Sequence, residues 1–266
     1  MKKTKVSIFC GGRGSATLIK YLATQKNIEL TLLINAYDDG KSTGILRKNI
    51  PGLLGPSDFR KNFSYLIDFL SDEQRILKSI FEYRIKKKVS VKEFYNKIKE
   101  LERLNRYNSN CIPTEINYLE KNIKKKIIDY LLICTKYLLN SNINLLDFSF
   151  GNLIFAGIFL DENRNFNLTV QKFAGFINSN VKIINISNNK NRWLVAVNEK
   201  KEIIEDEAKL VEKKQIIPIK DIFLLRKKEM MFFLKNFKKN NQDQKLSYLK
   251  KMNSIPEINP EAKNNL

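Results

Sequence analysis

The sequence predicts an α/β protein with a three-layer, Rossmann-like and mostly parallel sheet, a helical insertion and a small β appendage. Three observations support this class. A short apolar strand runs into a glycine-rich turn and an amphipathic helix, a second strand ends in a polar loop, and long helical patterns precede further strands. The 266 residues, 43% of them apolar, can bury a core, and we expect one domain, residues 1–266.

The first predicted unit is a strand, a turn and a helix. Lys5–Cys10 is rich in β-branched and aromatic residues, as buried strands are. Glycines in the turn Gly11-Gly12-Arg13-Gly14-Ser15 permit positive φ and leave room for a ligand, and Ser15 can cap a helix over 17–23. A helix start presents unpaired N–H groups, so this turn suits a phosphate.

The second predicted strand, 29–34, runs into the loop Asn35-Ala-Tyr-Asp38-Asp39-Gly40-Lys41-Ser42-Thr43-Gly44. If both strands are parallel neighbours, the two polar loops meet at one carboxyl edge of the sheet, where open α/β folds bind ligands. We expect 45–54 to be irregular. Ser57 then reads as the N-cap of a helix that reaches about Leu70.

Asp58, Arg60 and Asn62 lie at the start of that helix. An acid in a first helical turn often only compensates the helix dipole, so Asp58 has both a structural and a functional interpretation. The same applies to Gly151 and Asn152, which open a dense apolar helix over 153–160 and could form a plain helix cap or face a ligand.

Two common nucleotide motifs are excluded. The dinucleotide fingerprint needs a third glycine where Thr17 stands and an acid at the end of the second strand, where Asn35 stands. Gly40-Lys41-Ser42 imitates the end of a Walker A loop, but the required upstream glycine is also Asn35. Neither a nicotinamide or flavin site nor a P-loop is therefore predicted.

The rest of the chain is predicted as a helical insertion, two core helices and an appended β segment. The insertion spans 71–144, with main helices over 91–104 and 115–139, and the core helices span 153–160 and 165–177. The β appendage spans 181–225. Its strands are predicted over 181–186, 192–197, 202–204 and 220–225, and a basic helix or tail follows over 232–251.

Composition narrows the chemistry. The formal charge of +20 is spread through lysine- and asparagine-rich segments without a nucleic-acid-binding motif, so no specific nucleic acid is expected. The three cysteines are widely spaced, which argues against disulfides and zinc, and Cys10 reads as a small buried residue rather than a nucleophile. The absence of histidine excludes His-based triads, and any metal must be held by oxygen, with magnesium the default. Without a membrane-length apolar run or an N-terminal signal region, we expect a cytoplasmic protein.

Four motifs taken together resemble the family of phospholactate transferases and the related gluconeogenesis-factor proteins. They are Gly-Gly-x-Gly-Ser after the first strand, Asn-x-x-Asp-Asp-Gly-x-Ser-x-Gly after the second, Gly55-Pro-Ser-Asp-Phe-Arg-Lys-Asn62, and Ser149-Phe-Gly-Asn-Leu153. The family forms are Gly-Gly-Thr-Gly, Asp-Asp-Gly-Gly-Ser-Ser-Gly, Pro-Pro-Gly-Asp-x-Arg-Asn and Gly-Asn-Leu. This chain departs from them at four positions: Arg13, Lys41, Ser57 and an inserted Lys61.

The resemblance implies transfer of a phospho-acyl unit from a nucleoside diphosphate-type donor to a hydroxyl acceptor with Mg²⁺. Its catalytic and metal-binding residues would be Asp38, Asp39 and Asp58, with the individual roles left open. The ligand-binding residues would be Gly11, Gly12, Arg13, Gly14, Ser15, Asn35, Gly40, Ser42, Arg47, Arg60, Asn62, Gly151 and Asn152. Two alternatives are a non-catalytic UDP-sugar-binding regulator of carbon metabolism or the cell envelope, and an inactive, degenerate member.

The resemblance also bears on the end of the chain. Residues 253–266 resemble the approach to a further family strand, which would lead into a Gly-x-Gly-Ser loop. We therefore expect the C-terminal part of the family domain to be missing. The expected partners are a nucleotide sugar or phospho-acyl nucleotide, and either a second copy in a homodimer or a separately encoded C-terminal segment.

Overall fold

A parallel three-stranded sheet forms the centre of the protein in the computed structural model, which describes residues 3–67, 71–104, 106–177, 179–204, 217–237 and 242–265. Its strands are β1 (Thr4–Cys10), β2 (Ile28–Ile34) and β3 (Lys182–Asn185), in the order β1-β2-β3. Cys10 pairs with Ile34, which also pairs with Asn185, so all three strands end at the same edge. The mostly parallel α/β class predicted from the sequence is confirmed. The first strand was predicted to be buried, but β1 lies at the edge of the sheet and exposes several residues, among them Phe9.

Three helices follow the first two strands and carry the predicted motifs. They are α1 (Ala16–Ala23), α2 (Lys41–Asn49) and α3 (Ser57–Ile67). The prediction that 45–54 is irregular was wrong over its first half, which belongs to α2. Leu46 and Ile50 are four residues apart and fully buried, because helical spacing places them on the same face. Ser57 is the first residue of α3 rather than its cap, and the predicted end near Leu70 lies outside the described residues.

The predicted insertion is helical and shares the core of the sheet. It contains α4 (Asp72–Glu82), α5 (Val91–Arg103), a short 3-10 helix (Thr114–Tyr118) and α6 (Lys121–Tyr137). The prediction of one helix over 115–139 was wrong, because Leu119 and Glu120 adopt extended backbone between the last two elements. Residues of all four elements belong to the same buried cluster as β1 and β2.

Two apolar helices close this core against the insertion. α7 (Phe150–Asp161) is buried on all sides from Phe150 to Phe159, and α8 (Phe166–Ala174) follows it. Phe59, Phe155, Phe166 and Phe173 form a chain of ring contacts with centroid distances of 5.3–6.3 Å. Aromatic pairs in this range add to the stability that comes from their burial, so α3, α7 and α8 form one packed layer.

A second, antiparallel sheet with the strand order β5-β4-β6 forms the appendage. It contains β4 (Trp193–Asn198), β5 (Ile203–Ile204) and β6 (Ile219–Leu225), and α9 (Lys227–Asn236) and α10 (Gln242–Met252) pack with it around a buried cluster of its own. Part of the predicted span, 205–216, lies outside the described residues.

The appendage is smaller than predicted. The strand predicted over 181–186 belongs to the parallel sheet instead, because Ile183 faces the main core and Ile184 packs on Leu33 and Ala262 on the other face. Ala262 lies in α11 (Pro260–Lys263). None of the helices in the described part of the chain is long and apolar enough to span a membrane.

Candidate functional site

The candidate site is a crevice at the carboxyl edge of the parallel sheet, between the turn after β1 and the first turns of α3. Asn62 Nδ2 donates a hydrogen bond to the Gly11 carbonyl (2.9 Å), and the Tyr65 hydroxyl donates one to the Gly12 carbonyl (2.5 Å). Asn62 Nδ2 also donates to the Asp58 carbonyl (2.8 Å) within α3. These bonds hold the glycine turn against α3.

Gly12 is the residue of closest approach. A β-carbon placed there would lie 2.7 Å from both Asp58 Oδ1 and Lys61 Nζ, and one on Gly11 would lie 3.7 Å from Asp58 Oδ2. Only glycine lets the backbone come this near a carboxylate and an ammonium group. The structure therefore brings the first and third motifs into direct contact.

Asp38 and Asp58 are neighbours in this crevice. Burial raises the pKa of Asp58, the Lys61 ammonium opposes that rise, and the negative charge of Asp38 adds to it. Asp38 Oδ2 and Asn62 Oδ1 are both buried, and neither has a hydrogen-bond partner among the described residues. Buried polar atoms in folded proteins nearly always have partners, so these two acceptors are suited to a bound molecule.

Arg60 and the fourth motif form a buried polar network behind the crevice. Arg60 Nε donates to Asn152 Oδ1 (3.1 Å), while Asn152 Nδ2 donates to Ser57 Oγ (3.1 Å) and Thr43 Oγ1 (3.3 Å). A β-carbon on Gly151 would lie 2.7 Å from Arg60 Cδ. Burial lowers the pKa of Arg60 to about 10, so its guanidinium remains charged at neutral pH.

Asp39 and Arg47 lie together on the other side of the loop after β2. Arg47 Nη1 is 3.5 Å from Asp39 Oδ1, and the arginine side chain is fully buried. It also donates to the carbonyls of Tyr37 (3.0 Å) and Asp38 (2.9 Å). A β-carbon on Gly44 would lie 2.4 Å from the Asp39 carbonyl, so α2 packs tightly on Asp39.

The remaining predicted residues lie around these two centres. Asn35 is exposed, and its Oδ1 accepts a hydrogen bond from the Tyr37 N–H (3.1 Å), so it shapes the loop. Gly40 caps α2, Ser42 is buried in its first turn, and Ser15 occupies the N-cap position of α1. Arg13 and Gly14 are exposed on the rim.

Four residues of the site were absent from the predicted set: Thr43, Ser57, Lys61 and Tyr65. Thr43 and Ser57 lie within recognised motifs, and their hydroxyl oxygens are 2.5 Å apart. Lys61 and Tyr65 follow Asp58 by three and seven residues, a spacing that places side chains on one face of a helix. That spacing was the available signal for both.

The magnesium ion that the resemblance implies would need carboxylate oxygens that face it. Asp58 Oδ1 lies 3.2 Å from Lys61 Nζ, and Asp39 lies beside Arg47, so two of the three predicted carboxylates face a protein cation. Within the residues that the structure describes, no group of three or more Cys, Asp or Glu side chains could hold a metal ion. The three aspartates therefore do not come together as one three-carboxylate site, and magnesium itself stays a prediction from the resemblance.

Comparison with known proteins gives matches at the level of sequence and of fold. Residues 6–234 match the family described as 2-phospho-L-lactate transferase CofD. A putative gluconeogenesis factor of Streptococcus pneumoniae is 34% identical over 84 residues, which are 32% of this chain and 24% of that protein. The gluconeogenesis factor of Bacillus subtilis is 31% identical over 86 residues, 32% of this chain and 25% of that protein.

A crystal structure of a UPF0052 family member from Bacillus halodurans has the same fold. It superposes with a TM-score of 0.54 at 21% identity, over 84% of this chain and 51% of that one. The chain thus spans about half the length of this solved relative, and the matched segment spans about a quarter of each curated relative. With the family match covering most of its length, this chain belongs to the 2-phospho-L-lactate transferase CofD family.

Proposed function

We propose that this protein binds a nucleoside diphosphate-type ligand in the crevice and transfers a phospho-acyl unit from it to a hydroxyl acceptor. The acceptor oxygen would bond to the phosphorus of the phospho-acyl unit while the phosphoanhydride bond of the donor breaks, and the nucleoside monophosphate would leave. The observation that carries the proposal is the contact of the glycine turn with Asp58 at the carboxyl edge of the sheet, where the charge of Asp38 also acts on Asp58. Ligands of open α/β folds bind at this edge, where the strand ends and the helix starts converge.

The glycine turn suits the diphosphate of the donor, and the Asp38 carboxylate suits the hydroxyl of the acceptor. The backbone of Gly11 and Gly12, followed by the start of α1, offers N–H groups and the positive end of a helix dipole to a diphosphate. Asp38 Oδ2 is a buried acceptor without a hydrogen-bond partner among the described residues, and it would hold the hydroxyl of an acceptor.

Arg60 would act from behind the crevice. Its guanidinium is buried with Asn152 and remains charged, so it supplies positive potential to a site that accumulates phosphate charge. Arg47 would hold the loop that carries Asp38, since it donates to the carbonyls of Tyr37 and Asp38. Catalysis of phosphoryl-type transfer depends mainly on such positioning and electrostatic stabilisation.

A second candidate is a regulator that binds a UDP-sugar in the same crevice without turnover. It is favoured by the curated relatives, which are named gluconeogenesis factors and are 31–34% identical over their matched segments. Both candidates need the same phosphate-binding turn, and they differ in whether the ligand is consumed.

Calorimetry with UDP-glucose, combined with a transfer assay that supplies a phospho-acyl nucleotide donor and a deazaflavin acceptor, distinguishes the candidates. We expect saturable binding that Asp38→Asn weakens by about tenfold, through loss of a charge-assisted hydrogen bond from a sugar hydroxyl to Asp38 Oδ2. The control is Asp72→Asn, the same change at an exposed carboxylate on α4. Phosphodiester formation would establish the transferase, and binding without turnover the regulator. No binding by the folded wild type would identify an inactive member and refute the proposal.

A further inference from the structure

Lys61 occupies the part of the crevice where a cation would be needed. Its ammonium nitrogen is 3.2 Å from Asp58 Oδ1, and both atoms lie 2.7 Å from the position of a β-carbon on Gly12. The ammonium and the carboxylate therefore lie side by side against the glycine turn. A phosphate bound by that turn and a carboxylate on α3 would otherwise repel each other across this space.

Two neighbouring hydrogen bonds keep the turn and α3 close together. The Tyr65 hydroxyl and the Asn62 amide both donate to carbonyls of the glycine turn, at 2.5 Å and 2.9 Å. These two bonds hold the turn against α3 beside Lys61. A hydrated magnesium ion, which usually keeps several of its waters, would have to displace the ammonium group to reach Asp58.

Lys61 also remains accessible to a ligand. Its side chain is 26% exposed and that of Asp58 is 16% exposed, so the ion pair lines the crevice rather than the closed core. A lysine ammonium has three donors, and one carboxylate contact leaves it able to donate to phosphate oxygens as well. Lysine binds phosphate in this way, as a point charge on a flexible stem.

We propose that the Lys61 ammonium is the resident cation of this site, neutralising Asp58 and binding the phosphate of the ligand, so that ligand binding requires no divalent metal. This inference rests on the proposed function for the identity of the ligand. The position of the ammonium on Asp58 is independent of it. The two parts can therefore be tested separately.

The first test uses Mn²⁺ alone and needs no ligand. Mn²⁺ binding is measured by titration followed by electron paramagnetic resonance. The wild-type protein and the Asp58→Asn variant should bind Mn²⁺ equally, because the wild type should have no Mn²⁺ site that depends on Asp58. Lys61→Met leaves the Asp38 and Asp58 carboxylates without this ammonium and should bind Mn²⁺ at least about tenfold more tightly. Adding Asp58→Asn to Lys61→Met, as a double variant, should abolish that gain in Mn²⁺ affinity. Lys61→Arg keeps the charge and should behave as wild type.

The matched control is Lys97→Met. Lys97 also pairs with a carboxylate on its own helix, Glu93, at 3.6 Å, and its side chain is 29% exposed. Lys97→Met removes one positive charge, as Lys61→Met does, but Lys97 lies on α5 and not beside the glycine turn. Circular dichroism of each variant verifies that it is folded.

The second test measures UDP-glucose binding with EDTA and with excess Mg²⁺. Wild-type affinity should agree within about twofold between the two conditions, while Lys61→Met should lose about tenfold in EDTA and regain affinity with Mg²⁺. Asp58-dependent Mn²⁺ binding by the wild type, or binding of UDP-glucose that EDTA abolishes, would overturn the proposal. If wild type binds no UDP-glucose at all, the proposed function fails, and the Mn²⁺ result alone decides the role of Lys61.

Discussion

Cys10 ends β1 directly before the glycine turn, and its environment determines its chemistry. Burial raises the pKa of its thiol from 9.0 to about 12, and the negative charge of Asp58 adds to the rise. The thiolate is the nucleophilic form, so a thiol with this pKa is unreactive at neutral pH. This agrees with the interpretation from sequence that Cys10 is a small buried residue, and it is one of three buried free cysteines.

Cys10 should therefore resist alkylation in the native protein. At pH 8, iodoacetamide should label Cys10 about a thousandfold more slowly in native than in urea-unfolded protein, because the shift lowers the thiolate fraction by that factor. Since the folded state disfavours the thiolate, this group should also lower stability as the pH rises from 9.0 towards 12. Peptide mass spectrometry locates the label, and rapid native labelling at Cys10 would contradict the assignment.

At the same scale, the sequence reveals residue types but not their partners. The acids Asp38 and Asp58 could be recognised from their positions after a strand and at a helix start. Nothing in the order of residues shows that Asp39, next to Asp38, turns to a buried Arg47. That choice depends on the packing of α2, which brings Gly44 against the Asp39 backbone. Neighbouring carboxylates in one motif can therefore have different surroundings.

At the scale of the elements, a glycine on α7, Gly157, allows the backbones of α6 and α7 to come very close together. A β-carbon on Gly157 would lie 1.9 Å from the carbonyl oxygen of Tyr130, far inside van der Waals contact. The backbone of α7 thus lies directly on that of α6. Because α7 is buried on all sides, it has no exposed direction in which to move.

Gly157→Ala should destabilise the protein by about 3 kcal/mol, the upper range for overpacking a core, since backbone rather than a flexible side chain must give way. Gly14→Ala is the matched control. It makes the same change at a position with no described atom within 4 Å, so it should alter stability by less than about 0.5 kcal/mol. Urea unfolding measures both. Equal midpoints for the two variants would show that the helices can separate without cost.

The elements themselves were predictable where local pattern decided them. β1, β2, α5 and α8 were predicted to within a few residues, because apolar periodicity and turn residues define their ends. The assignment of β3 could not be made in this way, since its partner β2 lies about 150 residues earlier in the chain. A strand of four residues has the same sequence pattern in either sheet.

At the scale of the whole molecule, the side chain of Arg47 connects the main core to the second sheet. The main core and the cluster of the second sheet are separate in their buried residues. Arg47, on α2, donates through Nη2 to Asn191 Oδ1 (2.6 Å) and the Arg192 carbonyl (2.7 Å). Its guanidinium also lies 4.6 Å from the ring of Trp193, the first residue of β4. One buried side chain thus joins the loop of Asp38 to the second sheet.

Arg47→Met should destabilise the protein by about 3 kcal/mol, since it leaves buried carbonyls without donors and removes a buried cation from Asp39. It should also separate the two units. Trp193 is the single tryptophan and reports on the second sheet, whereas circular dichroism reports mainly on the helices of the main core. In wild type both signals should change at one urea concentration, and in Arg47→Met the fluorescence should change first.

Lys48→Met is the control for this variant, because it removes the neighbouring exposed cation of the same helix and should change stability by less than about 0.5 kcal/mol. Coincident transitions in Arg47→Met would mean that other contacts couple the sheets. One such contact is the hydrogen bond from the Tyr37 hydroxyl to the Lys190 carbonyl (3.1 Å), which joins the loop after β2 to the segment before β4 and does not involve Arg47. Loss of coupling with that bond intact would therefore assign the connection between site loop and second sheet to Arg47 itself.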